Sequence, residues 1–181
     1  MLRKVLLLLG VFSSFILCVQ AHVDLTEEIL RKIFPQAEAF TARHKTLTSG
    51  EAGELERATG AHVGAHEREV VFYVAIAKNE EGNYQSMGAV FIVHGTGPQG
   101  MIDVAVGYDL DSRVKGIVIL ENKNDPGIQK PEFLSQFTDK GLDDSLVLGK
   151  DIRFSGDSGA AEGLIGVVKK GMHLLRLVVK G

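Results

Sequence analysis

The chain has almost no cysteine, since Cys18 is the single one among its 181 residues. Cys18 lies in residues 1–21, a segment with the organisation of an export signal. Arg3 and Lys4 precede an apolar stretch, and the sequence VQA at residues 19–21 supplies the small residues that signal peptidase requires. Cleavage after Ala21 would leave a chain without cysteine. Disulfides, iron–sulfur clusters, thiolate nucleophiles and c-type haem attachment are therefore excluded.

Clusters of basic residues are also missing. Without Arg3 and Lys4, 18 basic residues face 23 acidic ones, so the formal charge of the remaining chain is −5. A mildly acidic domain of this kind is a poor candidate for binding nucleic acid. The apolar stretch of the signal covers about 15 residues, short of the roughly 20 that span a bilayer as a helix. The sequence predicts a periplasmic or otherwise exported protein, which contacts a membrane only through a partner or through an uncleaved signal.

The pattern of apolar residues predicts an α+β fold. Four β-rich runs are separated by short turns, at residues 70–77, 87–93, 101–108 and 114–120. Parallel neighbours would need crossovers of about a dozen residues, so the runs predict an antiparallel sheet of about four or more strands, flanked by helices.

Helices are predicted on both sides of this sheet. Asp24 and Glu27 have the spacing of a capping box, with Asp24 as the N-cap of a helix that Pro35 ends. A weaker helical pattern covers residues 50–58, and Pro131 starts a short helix. The last element, residues 160–179, is long enough to lie across the sheet, with one apolar face formed by Leu164, Val168, Met172 and Leu175.

Three polar loops carry the candidate chemistry. A glycine-rich turn covers residues 95–100, an Asn-Asp-Pro-Gly loop covers residues 124–127, and the stretch FSGDSGAAEGLIG covers residues 154–166. Taken alone, the first two are better explained as turns. In the third, the N–H groups at a helix start suit a phosphate. Gly163 and Gly166 each cost the helix up to about 1 kcal/mol relative to alanine. Close packing against the sheet or a nearby ligand would explain both glycines.

In order along the chain, these loops resemble the FMN-binding domain found in the G and C subunits of the Rnf and Na⁺-translocating NADH:quinone reductase complexes and in small exported flavoproteins. Six segments over residues 69–176 carry the resemblance: residues 95–100, Gly-Tyr-Asp at 107–109, residues 114–120, residues 124–127, Phe-Leu-Ser-Gln-Phe at 133–137 and Ser-Gly-Ala-Ala at 158–161. Together with the export signal (1–21), the resemblance predicts an N-terminal helical segment (22–60) and an FMN-binding-like domain (61–181).

The resemblance implies a redox carrier, rather than a stand-alone enzyme, whose partner is a membrane reductase complex or an exported cytochrome. It places FMN against ten residues: Gly97, Gly100, Asn124, Asp125, Pro126, Gly127, Ser158, Gly159, Ala160 and Ala161. In the family a threonine at position 161 is esterified to the FMN phosphate. Because Ala161 has no hydroxyl, a non-covalently held flavin is expected, and Ala161→Thr is predicted to restore the bond.

An alternative interpretation is a flavin-free relative that serves as a binding or assembly module of a redox complex. Ala161 and Asn124 favour it, because both depart from the family pattern. Asp125 and Asp157 would also bring negative charge close to a phosphate.

Overall fold

The computed structural model describes residues 25–179, so the predicted export signal lies outside the described residues. Four α-helices and five strands are described: α1 (Glu27–Ile33), β1 (Ala39–Thr46), α2 (Ser49–Thr59), β2 (Glu69–Lys78), β3 (Tyr84–Gly97), β4 (Gly100–Asp109), β5 (Val114–Asn122), α3 (Pro131–Leu134) and α4 (Ser158–Val179). None of the helices in this part of the chain has the length and apolar character to cross a membrane.

The five strands form one antiparallel sheet in the order β1-β2-β3-β4-β5. Strands β2 to β5 pair with their neighbours in sequence because the turns between them are short, and β1 pairs with β2 although α2 lies between them. The tightest connection joins β3 to β4, where Gly97 faces Gly100 across Pro98 and Gln99. The predicted α+β architecture with an antiparallel sheet is confirmed, and all four predicted strands are present.

The fifth strand, β1, was not predicted, and it lies in the segment 22–60 that was expected to be helical. Its residues are mostly exposed and do not alternate between apolar and polar. A strand at the edge of a sheet needs no apolar face of its own, and charged residues such as Arg43 and Lys45 are common there. Its pairing with β2, in which Thr41 faces Val74, is a non-local contact that sequence periodicity does not report.

The two faces of the sheet are covered by different helices. The long helix α4 covers one face and buries the predicted apolar residues Leu164, Val168, Met172 and Leu175. On that face the Tyr108 hydroxyl donates a hydrogen bond of 3.2 Å to the Val168 carbonyl, and burial raises the pKa of Tyr108 well above its usual value. The short helix α1 packs on the opposite face.

The helix starts agree only in part with the sequence. The weak helical pattern at residues 50–58 is confirmed by α2, whose capping box joins Thr48 and Glu51. Helix α1 begins at Glu27 with Thr26 as its N-cap, and Asp24, the predicted N-cap, lies outside the described residues.

Candidate functional site

The three loops selected from the sequence lie together at one end of the sheet. The β3–β4 turn meets the loop after β5, since a Cβ on Gly97 would collide with the Asn124 side chain. The same turn meets the start of α4, where a Cβ on Gly159 would collide with the Pro98 ring. The structure therefore brings the predicted site segments into direct contact. We call this region the loop corner: residues 97–100, 124–127 and 156–161.

Asn124 holds the first two loops together. Its side-chain oxygen accepts a hydrogen bond of 2.8 Å from the Gln99 N–H, and its amide nitrogen donates one of 3.0 Å to the Gly100 carbonyl. The residue is only 8% exposed. Because both ends of the amide are engaged within the chain, Asn124 positions the β3–β4 turn.

Asp125 links its own loop to the segment before α4. Its carboxylate accepts hydrogen bonds from the N–H groups of Asp157, at 2.8 Å, and Gly127, at 2.7 Å. These two donors lower the pKa of Asp125, the Asp157 N–H more strongly than that of Gly127. Pro126 begins a 3-10 turn immediately after the carboxylate. The Asp125 carboxylate thus accepts hydrogen bonds from backbone N–H groups of its own loop and of the segment before α4.

A second carboxylate occupies the start of α4. Asp157 precedes the first helical residue, Ser158, and its side chain accepts a hydrogen bond of 2.8 Å from the Gly159 N–H. The Asp157 carbonyl accepts the Ala161 N–H at 3.2 Å. This is N-terminal capping by an acidic side chain, which satisfies a donor that would otherwise be available to an anion.

Position 161 lies in the main core. Ala160 and Ala161 are both 0% exposed and pack with the residues beneath α4. A side chain at position 161 is therefore directed into the core. The position that the resemblance assigns to covalent attachment is buried and carries no hydroxyl.

The loop corner does not fit a flavin phosphate. A phosphate bound at the start of α4 would use backbone N–H groups of the first helical turn. Within that turn the Gly159 N–H is held by Asp157, and the Asp157 N–H, just before the helix, is held by Asp125. A phosphate there would lie beside two negative charges.

The two glycines within α4 differ in their surroundings. A Cβ on Gly163 would lie 3.0 Å from the Thr96 carbonyl oxygen and 3.0 Å from Ile102, so packing against the sheet explains this glycine. A Cβ on Gly166 would have no described atom within 4 Å. Gly166 instead opens into a groove, which the sequence did not predict.

The groove has a volume of about 670 Å³ and lies beside the β3–β4 hairpin. Its lining comes from three parts of the chain: Thr59, Ala61, His62 and Glu67 on one side, His94, Gly95, Thr96 and Met101 from the hairpin, and Glu162, Gly163, Gly166, Val167 and Lys170 from α4. Cavities of about 300–1,000 Å³ are typical of small-molecule sites. We call this feature the α4 groove.

A buried ion pair lies in the lining of the α4 groove. Lys170 is 8% exposed, and its Nζ donates hydrogen bonds to the Glu67 carboxylate and, at 3.2 Å, to the His94 carbonyl. The second Glu67 oxygen accepts the Gly64 N–H at 3.0 Å. Burial acts to raise the pKa of Glu67, but the hydrogen bonds from Lys170 and Gly64 outweigh it, so the pKa is lowered.

A smaller cavity of about 240 Å³ lies beside the loop corner. Gly127, Phe154 and Gly156 line it, together with the cations Lys130 and Arg153 and the acidic Glu132. Gln136 fixes the backbone of Arg153 through two hydrogen bonds, of 2.7 and 2.9 Å.

Neither a model of a known protein family nor a curated protein matches this chain. The resemblance to the FMN-binding domain rests on the six sequence segments and stays a prediction.

Proposed function

We propose that this chain is an exported electron-transfer domain that holds a flavin without a covalent bond. One observation carries the proposal. The β3–β4 turn, the loop at residues 124–127 and the start of α4 are distant in sequence, and their contact in the structure supports a site formed jointly by these loops and the adjoining α4 groove. The α4 groove adjoins this meeting point through Gly95, Thr96 and Gly163.

The α4 groove supplies the surface for the flavin ring. At Gly166 the helix presents bare backbone, and Val167 and Met101 add apolar atoms, so a flat ring has a complementary wall. Glu67 neutralises the charge of Lys170 in this lining, and an uncharged ring therefore meets no unpaired cation there. A bound flavin would supply the redox chemistry, and the chain would position the ring and tune its potential.

The first test is the absorbance spectrum of the protein purified from the exported fraction, repeated on the supernatant after acid precipitation. Flavin bands that move to the supernatant are expected, because position 161 offers no acceptor. Flavin retained in the pellet would contradict non-covalent binding. The intact mass checks the export prediction in the same sample, since a mature chain should begin at His22.

A second candidate function is a flavin-free module that binds a membrane reductase complex or an exported cytochrome. Side chains of the protein already fill the loop corner, which favours this candidate. Asn124 lies against Gly97, and two carboxylates accept hydrogen bonds from backbone N–H groups at the start of α4. A folded, colourless protein that binds neither added FMN nor added riboflavin would contradict the first candidate and favour this one.

A further inference from the structure

We infer that the flavin this chain accepts is an uncharged one without a phosphate, of the riboflavin type, and that the loop corner discriminates against FMN. The inference rests on the proposed function and specifies its ligand. FMN and riboflavin share the isoalloxazine ring and the ribityl chain, so only the phosphate end separates them.

The first support is that two carboxylates already occupy three backbone donors of the loop corner. The Asp157 carboxylate takes the Gly159 N–H, and the Asp125 carboxylate takes the N–H groups of Asp157 and Gly127. Each carboxylate already provides the negative charge that the helix N-terminus stabilises. A phosphate gains no free backbone donor from these groups and meets two like charges.

The second support is the charge along the α4 groove. Glu67 pairs with Lys170, whereas Glu162 has no ion-pair partner among the described residues. The groove lining therefore has an excess of negative charge. Asp157 lies six residues before Gly163, about 9 Å along the axis of α4 at 1.5 Å per residue. At that separation its charge acts on a ligand bound over Gly163, and salt screens part of the effect.

The smaller cavity offers two competing cations near the loop corner, while Lys123, whose side chain lies against Gly100, is paired with Glu121. Lys130 and Arg153 are exposed, and Glu132 lies in the same lining. Exposed cations contribute little to binding, because water and salt screen them. These two cations are an alternative binding site for a phosphate, and the experiment below distinguishes this site from the loop corner.

The experiment measures the affinities of riboflavin and FMN for the full mature chain by quenching of flavin fluorescence. We expect riboflavin to bind at least about tenfold more tightly than FMN, which corresponds to about 1.4 kcal/mol. The preference should shrink at high salt, since the repulsion is electrostatic.

A pair of variants tests the cause. Asp157→Asn keeps a side-chain oxygen for the Gly159 N–H and removes the charge, so the affinity ratio should shift towards FMN by several-fold. Asp111→Asn removes one charge from the exposed β4–β5 turn and should leave the ratio at the wild-type value. An equal shift of the affinity ratio in both variants would contradict the inference that the loop corner discriminates against FMN.

The remaining outcomes separate the inference from the proposed function. Tighter binding of FMN than of riboflavin would overturn the inference and leave the proposed function standing. If that preference were lost in Arg153→Gln, the phosphate would be located in the smaller cavity. Failure of both flavins to bind a folded protein would overturn the proposed function and the inference together.

Discussion

The loop corner and the α4 groove lie on the same helix, and they differ in what occupies them. At the loop corner, side chains of the protein fill the spaces that glycines leave, and carboxylates hold the backbone donors. One to two turns further along α4, Gly166 faces open space above a buried ion pair. A glycine-rich sequence therefore indicates close approach, and only the structure tells whether the approaching group belongs to the protein or to a ligand.

The largest expected effect concerns the ion pair of the α4 groove. Lys170→Met leaves Glu67 without its cation, and breaking a buried pair costs about 3–5 kcal/mol of unfolding free energy. We expect a loss at the lower end of this range, about 3 kcal/mol, because the Glu67 side chain is 30% exposed and stays partly hydrated. Urea unfolding measures the change. The double variant with Glu67→Gln should regain part of the loss, and a double variant as unstable as the single one would contradict the pairing.

A smaller effect on stability should distinguish glycines of the loop corner from Gly166 in the α4 groove. Gly97→Ala places a Cβ against Asn124, and overpacking of this kind costs about 1–3 kcal/mol. Gly166→Ala has open space and removes the helix penalty of glycine, so it should raise stability by up to about 1 kcal/mol. Thermal unfolding of the two variants gives the comparison. A loss of stability in Gly166→Ala would show that the groove is closed in solution.

The loop corner should weaken in acid. The pKa of Asp125 is lowered in the folded protein, so its contribution to stability is complete above the usual value of 3.8 and is lost as pH falls towards the lower folded value. The difference in unfolding free energy between wild type and Asp125→Asn should therefore decrease below about pH 4. A difference that is constant down to pH 2 would contradict the two hydrogen bonds to this carboxylate.

No covalent flavin is expected in Ala161→Thr, even when a flavin transferase is present in the same exported compartment. The sequence motif alone predicts a gain of the phosphoester, whereas burial of position 161 removes the hydroxyl from reach. Intact mass spectrometry decides between these two expectations, with a known transferase substrate as the positive control. A mass increase equal to one flavin phosphate would show that the start of α4 opens in solution.

The sequence predicted those elements whose residues carry a strong pattern of their own. Strands β2 to β5 and the buried face of α4 are continuous apolar or periodic runs. Strand β1 has no such run, because it is an exposed edge whose residues are ordered by pairing with β2.

The contact among the three loops follows from the sheet order, which the four apolar runs indicated. Whether these loops hold a flavin stays a prediction. The contact between Asp125 and the Asp157 N–H joins residues 32 positions apart, so sequence spacing could not show which donors were already occupied. The α4 groove combines three separate parts of the chain, and Gly166 was its one signal in the sequence.

The most direct test of a flavin ring in the α4 groove is a riboflavin titration of three proteins. Gly166→Leu fills the groove from the exposed side of α4, and Gly50→Leu makes the same change at an exposed helical glycine in α2. We expect Gly166→Leu to lose at least tenfold in affinity, while Gly50→Leu binds as the wild type does. Equal affinity in all three proteins would contradict the assignment of the ring to this groove.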